Sequence, residues 1–179
     1  MTAAFAYAVS AGIGKANSPN FDNPDGAGED VTGTITPDGT TTKGNLTIKY
    51  GSGLDKLEIA VEEYDTLSLF DDLTTDEART INVSIDNSID AFMEVPNSST
   101  VYVNANVLKT TSSNMVASGF GHELVHVRDY ISGSLNRYSS ASIRASEARA
   151  YSWQFSTRQH FNLSRSQKTW VMDQIGRHR

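Results

Sequence analysis

Two histidines and a glutamate in the second half of the chain are spaced so that they could act on one metal ion. His122 and His126 are four residues apart, and Glu123 directly follows the first. Residues four apart on an α-helix lie one above the other on the same face, so two imidazoles at this spacing can bind one cation. Glu123, about 100° further round the helix, can contact a water on that cation without binding the cation. The spacing therefore predicts hydrolytic chemistry, in which the carboxylate takes a proton from an acidified water.

The neighbouring residues predict a helix with separate packing and metal-binding faces. An apolar stripe recurs at helical spacing, apart from the histidines, and consists of Val116, Phe120, Leu124, Val127 and Ile131. Gly119 and Gly121 each cost a helix about 1 kcal/mol relative to alanine, which indicates that backbone or substrate approaches closely there. Gly133 is the predicted C-cap of this helix. The alternative is a chance motif on an ordinary surface helix.

A third metal ligand is needed, because a catalytic zinc site normally takes three protein ligands and leaves a fourth position for water. The chain has no cysteine, which excludes thiolate ligands. Glu147 lies in a second predicted helix, 21 residues after His126. Its face is partly apolar and carries Ile143, Ala150, Tyr151 and Gln154. A carboxylate there needs a partner such as a divalent cation; the alternative is an exposed glutamate paired with Arg144 or Arg149.

Hydrolysis also needs a donor for the anion that forms on the substrate. Tyr151, one turn beyond the predicted third ligand, is the first candidate for this catalytic role, and its alternative role is that of a core tyrosine. Tyr138 and His160 are further candidates. Asp129, one turn beyond His126, could orient a ligand histidine or be an exposed aspartate at the end of the helix.

The 179 residues are enough for one domain with a hydrophobic core. Residues 1–43 form a predicted linker-like or irregular segment, since residues 18–43 are rich in Gly, Asp, Asn, Pro and Thr and lack apolar periodicity. Residues 44–179 form the predicted domain. The first fourteen residues are small and apolar, but no basic residue precedes them and the run is too short to span a bilayer. Neither a clear signal peptide nor a membrane span is therefore predicted.

Charge is distributed unevenly along the chain. Residues 1–127 carry six basic and eighteen acidic residues, a balance of −12, whereas residues 128–179 carry nine basic and three acidic residues, a balance of +6. This bipolarity could steer an acidic peptide, or the two parts could pack together and compensate each other. The net charge of −6 does not favour nucleic-acid binding. The expected partner is a protein or peptide substrate, and the chain is expected to be a monomer.

The predicted fold class is α+β, with a small antiparallel or mixed sheet packed on the metal-binding helix and a ligand helix after it. Strands are predicted from apolar alternation at residues 45–50, 81–85, 91–95 and 100–104. A helix is predicted over residues 54–70, the ligand helix continues to about residue 161, and a capping box at Ser164 and Gln167 begins a last helix. The strand at residues 100–104 is expected to be an exposed edge that holds an extended substrate.

The run His122-Glu-Leu-Val-His126, with Glu147 downstream, resembles the gluzincin zinc metallopeptidases. In that group two motif histidines and a glutamate from a following helix hold zinc. The longer run that ends at Gly133, together with Ser-Glu-Ala-Arg-Ala-Tyr at residues 146–151, looks like bacterial effector and toxin metallopeptidases of the NleD-like kind. Relatives of that kind often carry paired acids where this chain has serine before Glu147.

This resemblance implies a zincin-like fold and Zn²⁺ held by His122, His126 and Glu147, with Glu123 as general base. It also implies a secreted endopeptidase, delivered into a target cell, that acts on a protein of a host or of a competing bacterium. A cognate immunity protein would then be a further partner. The alternative is a non-catalytic zinc-containing binding or structural module of a larger secreted protein. Glu123 separates the two interpretations, because a structural site has no use for a carboxylate that does not bind the metal.

Overall fold

A mixed five-stranded sheet forms one layer of the protein. The structure, a computed structural model, describes residues 39–178. The strands are β1 (Thr40–Lys43), β2 (Leu46–Tyr50), β3 (Arg79–Ile85), β4 (Met93–Asn97) and β5 (Thr100–Val103). Their order is β1-β2-β3-β5-β4. The three central strands are mutually parallel, and β1 and β4 run antiparallel to their neighbours at the two edges. The predicted α+β class with a mixed sheet is confirmed.

The helices complete the described part of the chain. They are α1 (Asp55–Glu63), α2 (Asp71–Thr75), α3 (Ala105–Thr110), α4 (Ser113–Ile131), α5 (Ser140–Ser156) and α6 (Arg165–Arg177). Helix α4 packs on α1, on α5 and on the edge strand β4, and α6 packs on α5. No helix within residues 39–178 combines the length and apolar composition that crossing a bilayer requires.

One hydrophobic core joins the sheet to the helices. Apolar residues alternate with polar ones along the strands, so one face of the sheet is buried, as with Ile48 in β2 and Val83 in β3. Helix α4 lies deepest in this core, and all of its residues from Met115 to Val127 are buried. A helix covered on every side is held by tertiary packing rather than by its own propensity. Its histidines and glutamate are therefore fixed by the core.

Two glycines let other side chains pack tightly against α4. A Cβ at Gly121 would overlap the ring of Trp153, and a Cβ at Gly119 would lie 3.3 Å from Cε1 of Phe92. The expected close approach is therefore made by aromatic side chains rather than by backbone or substrate. The C-cap of α4 is Ser132 rather than the predicted Gly133. Gly133 follows it with a φ of +70°, the left-handed conformation that is common just after a helix C-cap.

Some element boundaries differ from the prediction for local backbone reasons. The helix predicted over residues 54–70 ends early, because Asp65 takes a φ of 41° and a 3-10 helix, Thr66–Leu69, follows. Helix α5 ends at Ser156 rather than near residue 161. The capping box that begins α6 is formed by Ser164 and Gln167, as predicted.

Strand β1 lies within the segment that was predicted to be linker-like. Thr40–Lys43 contain no apolar alternation, so their pairing with β2 leaves no strand signal in the sequence. The hairpin turns at Gly44, whose φ of +55° favours glycine. The sheet thus begins four residues before the predicted boundary at residue 44, and the segment up to residue 38 lies outside the described residues.

The edge strand next to α4 is β4, and the prediction that residues 100–104 form this edge is wrong. β5 pairs with β3 on one side and with β4 on the other. Pro96, which lacks an N–H group, suits the edge strand. Its carbonyl oxygen accepts a 3.0 Å hydrogen bond from Nη1 of Arg137, which lies in the loop between α4 and α5. Alternation alone cannot tell an edge strand from a central one, because both bury one face.

Candidate metal centre

Helices α4 and α5 bring His122, His126 and Glu147 together in the core. Each residue offers one ligand atom, and these atoms lie within 4.8 Å of one another. The two Nε2 atoms are 3.2 Å apart. The Glu147 carboxylate reaches both rings, with 3.4 Å between its Oε2 and Nε2 of His122 and 3.5 Å between its Oε1 and Nε2 of His126. The three side chains could therefore hold a metal ion.

Burial prepares the two histidines for metal binding. His122 is 1% exposed and His126 is fully buried. Loss of hydration lowers the pKa of His122 to about 3 and that of His126 to about 4. Both rings are therefore neutral at neutral pH. A neutral imidazole has a free lone pair on one ring nitrogen, as a metal ligand requires.

Two buried carboxylates, those of Glu123 and Glu147, lie at the centre. Burial raises the pKa of Glu147, although His126 and His178 act in the opposite direction. Burial also raises the pKa of Glu123 well above its usual value, and the nearby Glu147 and Glu94 add to this. Both Glu123 oxygens and Oε2 of Glu147 lack a hydrogen-bond partner within residues 39–178. Charged oxygens in such surroundings need a cation or water, and a divalent ion at the triad would supply a cation.

The ring of His126 is tied to a chain of hydrogen bonds on its far side. Its Nδ1 lies 2.8 Å from Oγ of Ser146, and that hydroxyl donates a 2.6 Å hydrogen bond to Oδ2 of Asp129. Nη2 and Nε of Arg149 donate to the same carboxylate oxygen at 2.7 and 3.1 Å. Asp129 is 5% exposed and so is not an exposed aspartate at the helix end. It reaches His126 through Ser146 rather than directly.

The surroundings of His122 are less complete. Within residues 39–178, its Nδ1 and both amide atoms of Gln154 have no partner of good hydrogen-bond geometry, although Gln154 lies close enough to oppose the lowering of the His122 pKa. The ring of Tyr151 packs edge-on against His122 with 4.4 Å between the centroids. The Tyr151 hydroxyl is also without a partner among the described residues, and the side chain is 1% exposed. Burial raises the pKa of Tyr151 well above its usual value, so the hydroxyl keeps its proton.

The end of α6 covers Tyr151. The ring of His178 stacks on the Tyr151 ring at 5.5 Å and 20°, and Trp170 contacts the same ring at 5.9 Å. The positive charge of Arg177 opposes the rise of the Tyr151 pKa. Nothing in the spacing of these residues in the sequence connects them with the centre, because the contacts depend on how α6 docks.

The other proposed positions lie apart from these buried groups. Tyr138 is 94% exposed in the loop before α5. His160 is exposed, and its Nε2 bonds to the carbonyl of Tyr64. Arg149 pairs with Asp129 rather than with Glu147, which is itself 2% exposed. The interpretation of Glu147 as an exposed ion-pair partner is therefore excluded.

Two residues of the centre were not predicted from the sequence as functional. Ser146 precedes Glu147 in the chain, and its hydroxyl is hydrogen-bonded to His126 of the neighbouring helix α4. Gln154 lies two turns after Glu147 on the same buried side of α5, which includes Ala150 and Tyr151. A polar residue at helical spacing from a proposed ligand was the available signal for Gln154.

Comparison of the chain with protein-family models, with curated proteins and with solved structures finds no match.

Proposed function

We propose that this protein is a zinc-dependent endopeptidase with a zincin-like fold. Glu123 is the observation that carries the proposal. It is fully buried beside the triad, both of its carboxylate oxygens are without a partner among the described residues, and it does not belong to the ligand set. Burying a carboxylate without a partner is costly, and a purely structural metal site gains nothing from it. A hydrolytic site uses such a carboxylate as its general base.

Zinc is the metal that best suits this donor set. Two imidazoles and a carboxylate form a three-ligand set that is common at catalytic zinc, where the fourth position stays open for water. The chain has no cysteine, so a closed site of thiolates is excluded. Zinc in this position supplies Lewis acidity and lowers the pKa of water.

The side chains around the triad have distinct roles in peptide hydrolysis. Glu123 takes the proton of the attacking water and passes it to the leaving amine. Tyr151 keeps its hydroxyl proton because its pKa is raised, and it donates that hydrogen bond to the developing oxyanion. Its ring lies against His122, which places it beside the triad. These roles need no other ionisable residue at the centre.

The depth of the centre is the one observation that favours the alternative, a non-catalytic structural zinc module. Glu123 and His126 have no exposed surface, so a polypeptide must displace part of the protein to reach them. His178, which stacks on the Tyr151 ring, is half-buried just after the end of α6. We propose that substrate enters here, and that the substrate is a protein of a host or competing cell, as the resemblance to secreted effector peptidases implies.

The decisive experiment compares wild-type protein with Glu123→Gln. Both are loaded with zinc, their zinc content is measured, and cleavage of an unfolded protein is followed. We expect equal zinc content and a loss of cleavage of about 10²–10⁴-fold, the usual contribution of a general base. Glu63→Gln, the same chemical change on the exposed side of α1, serves as the matched control.

The two functions predict different outcomes in this experiment. A wild-type protein that holds zinc and cleaves nothing supports the structural module. Equal cleavage by wild type and Glu123→Gln shows that the activity does not use this carboxylate, and the proposal then fails. A variant that also loses zinc places Glu123 among the ligands and removes its role as base.

A further inference from the structure

We propose that Ser146 is a positioning residue that fixes the ring orientation and tautomer of His126 for metal binding. The inference deepens the proposed function, since it concerns the same site. It rests on the chain of contacts from Arg149 through Asp129 and Ser146 to the imidazole.

The direction of each hydrogen bond in this chain follows from the number of protons available. A carboxylate that accepts from Arg149 has only acceptor atoms to offer, so Ser146 must give its single hydroxyl proton to Asp129 at 2.6 Å. The serine oxygen then has only lone pairs for His126. The 2.8 Å contact is therefore a hydrogen bond only if Nδ1 of His126 carries the proton.

The tautomer assigned in this way is the one that metal binding needs. A neutral imidazole with its proton on Nδ1 has its lone pair on Nε2. That atom lies 3.2 Å from Nε2 of His122 and 3.5 Å from Oε1 of Glu147, at the point where the triad converges. The serine thus fixes a lone pair that points at the metal position, as carboxylates and carbonyls do behind other metal-bound histidines.

The position of Ser146 in the chain gives it a second effect. It directly precedes Glu147 on α5, while Asp129 and His126 belong to α4. The hydroxyl therefore links the helix of the third ligand to the helix of the first two. All members of the link are buried except Arg149, whose side chain is 41% exposed. Removing the hydroxyl should loosen the alignment of the ligands while leaving the Asp129–Arg149 ion pair intact.

The experiment has one readout that does not depend on metal or activity. Histidine ¹⁵N NMR of the metal-free protein at neutral pH reports which ring nitrogen of His126 carries the proton. Wild type should show the Nδ1–H form alone, and Ser146→Ala should show a mixture of the two neutral forms. Ser146→Thr keeps a hydroxyl and should restore the wild-type pattern. Ser118→Ala is the matched control, since Ser118 is a buried serine of α4 whose hydroxyl has no partner within residues 39–178.

The second readout is zinc affinity, measured by competition with a chelator. Ser146→Ala should weaken binding by about 10–100-fold, as is usual when the partner of a ligand histidine is removed. Ser146→Thr should recover most of the loss, and Ser118→Ala should match wild type. If Ser146→Ala does not fold, Asp129→Asn tests the same link, because it keeps the shape and removes the charge that holds the serine proton.

The outcomes separate this inference from the proposed function. An Nε2–H form of His126 in the wild type overturns the inference, even if the protein is an active peptidase. Unchanged tautomer and affinity in Ser146→Ala overturn it as well. A wild type that shows the predicted tautomer and cleaves nothing supports the inference and counts against the peptidase.

Discussion

The two histidines of the metal centre have unequal surroundings, although they lie one turn apart on the same helix. The far nitrogen of His126 meets a complete chain formed by Ser146, Asp129 and Arg149. Among the described residues, the far nitrogen of His122 has no hydrogen-bond partner of good geometry, and neither do the amide atoms of Gln154 beside it. The two histidines are therefore similarly buried, but only His126 has a hydrogen-bond partner for its far ring nitrogen within residues 39–178.

This difference indicates a division of work within the centre. Satisfied buried networks hold a structure in one arrangement, whereas buried groups without a partner are uncommon, and a cluster of them is one sign of a site where another molecule binds. The hydroxyl of Tyr151, whose ring contacts His122, and both oxygens of Glu123, the residue after His122 in the chain, have no hydrogen-bond partner within residues 39–178. We infer that the His126 side anchors the metal and that the His122 side is where substrate is bound and hydrolysed.

The largest effect should come from Glu147→Ala, because Glu147 is the proposed ligand whose carboxylate faces both histidines. Its two oxygens lie 3.4 and 3.5 Å from their Nε2 atoms. We expect the variant to lose zinc and cleavage together, which metal analysis and a cleavage assay on an unfolded protein would measure. Glu63→Ala, at an exposed position, should change neither. Unchanged zinc affinity would show that Glu147 is not a metal ligand. The proposed roles of the His126 side and the His122 side would then have no basis.

A smaller effect, confined to the His122 side, is expected from Tyr151→Phe. The change removes a hydroxyl without a partner among residues 39–178 and leaves the ring that packs on His122. Loss of an oxyanion donor should lower kcat by about 10²–10³-fold, while zinc affinity stays at the wild-type value. Ser146→Ala should show the opposite pattern, with weakened zinc binding. If Tyr151→Phe cleaves at the wild-type rate, Tyr151 is a core residue and the division of work is wrong.

The sequence predicted those parts of the centre that depend on position along one helix. His122, Glu123 and His126 are related by helical geometry alone, and their spacing was enough to propose them. Glu147 could be proposed because a carboxylate on a partly apolar helix face needs a partner. The contacts of Ser146 and His178 depend on how α5 and α6 dock on their neighbours, which no spacing along the chain reveals.

The fold was predictable to a similar degree. Alternation in β2 and β3 and the capping box of α6 located those elements, because each signal is local. The order of the strands is not a local property, which is why β5 was mistaken for the edge that β4 forms. Strand β1 has no apolar pattern and takes its structure from pairing with β2.

The smallest effect should appear in the stability of the metal-free protein. This prediction tests whether the Glu123 carboxylate has no partner in the folded protein. Burial, with Glu147 and Glu94 nearby, raises the pKa of Glu123 well above 4.5. The folded protein therefore holds a proton that the unfolded chain releases between the two pKa values. The contribution of this proton to the free energy of unfolding is fully present below pH 4.5. It is lost as the pH rises toward the folded pKa, by at most about 1.4 kcal/mol per pH unit.

Glu123→Gln carries no titrating group at this position, so it should lose less stability than wild type between pH 4.5 and neutral pH. The lowered pKa values of the two histidines act in both proteins, so the difference between the curves reports the titration of Glu123 together with its coupling to Glu147. Urea unfolding of both metal-free proteins across this range measures that difference. Parallel curves would show that the pKa of Glu123 is not raised in the folded protein, and Glu123 would then no longer count among the unpaired groups of the centre.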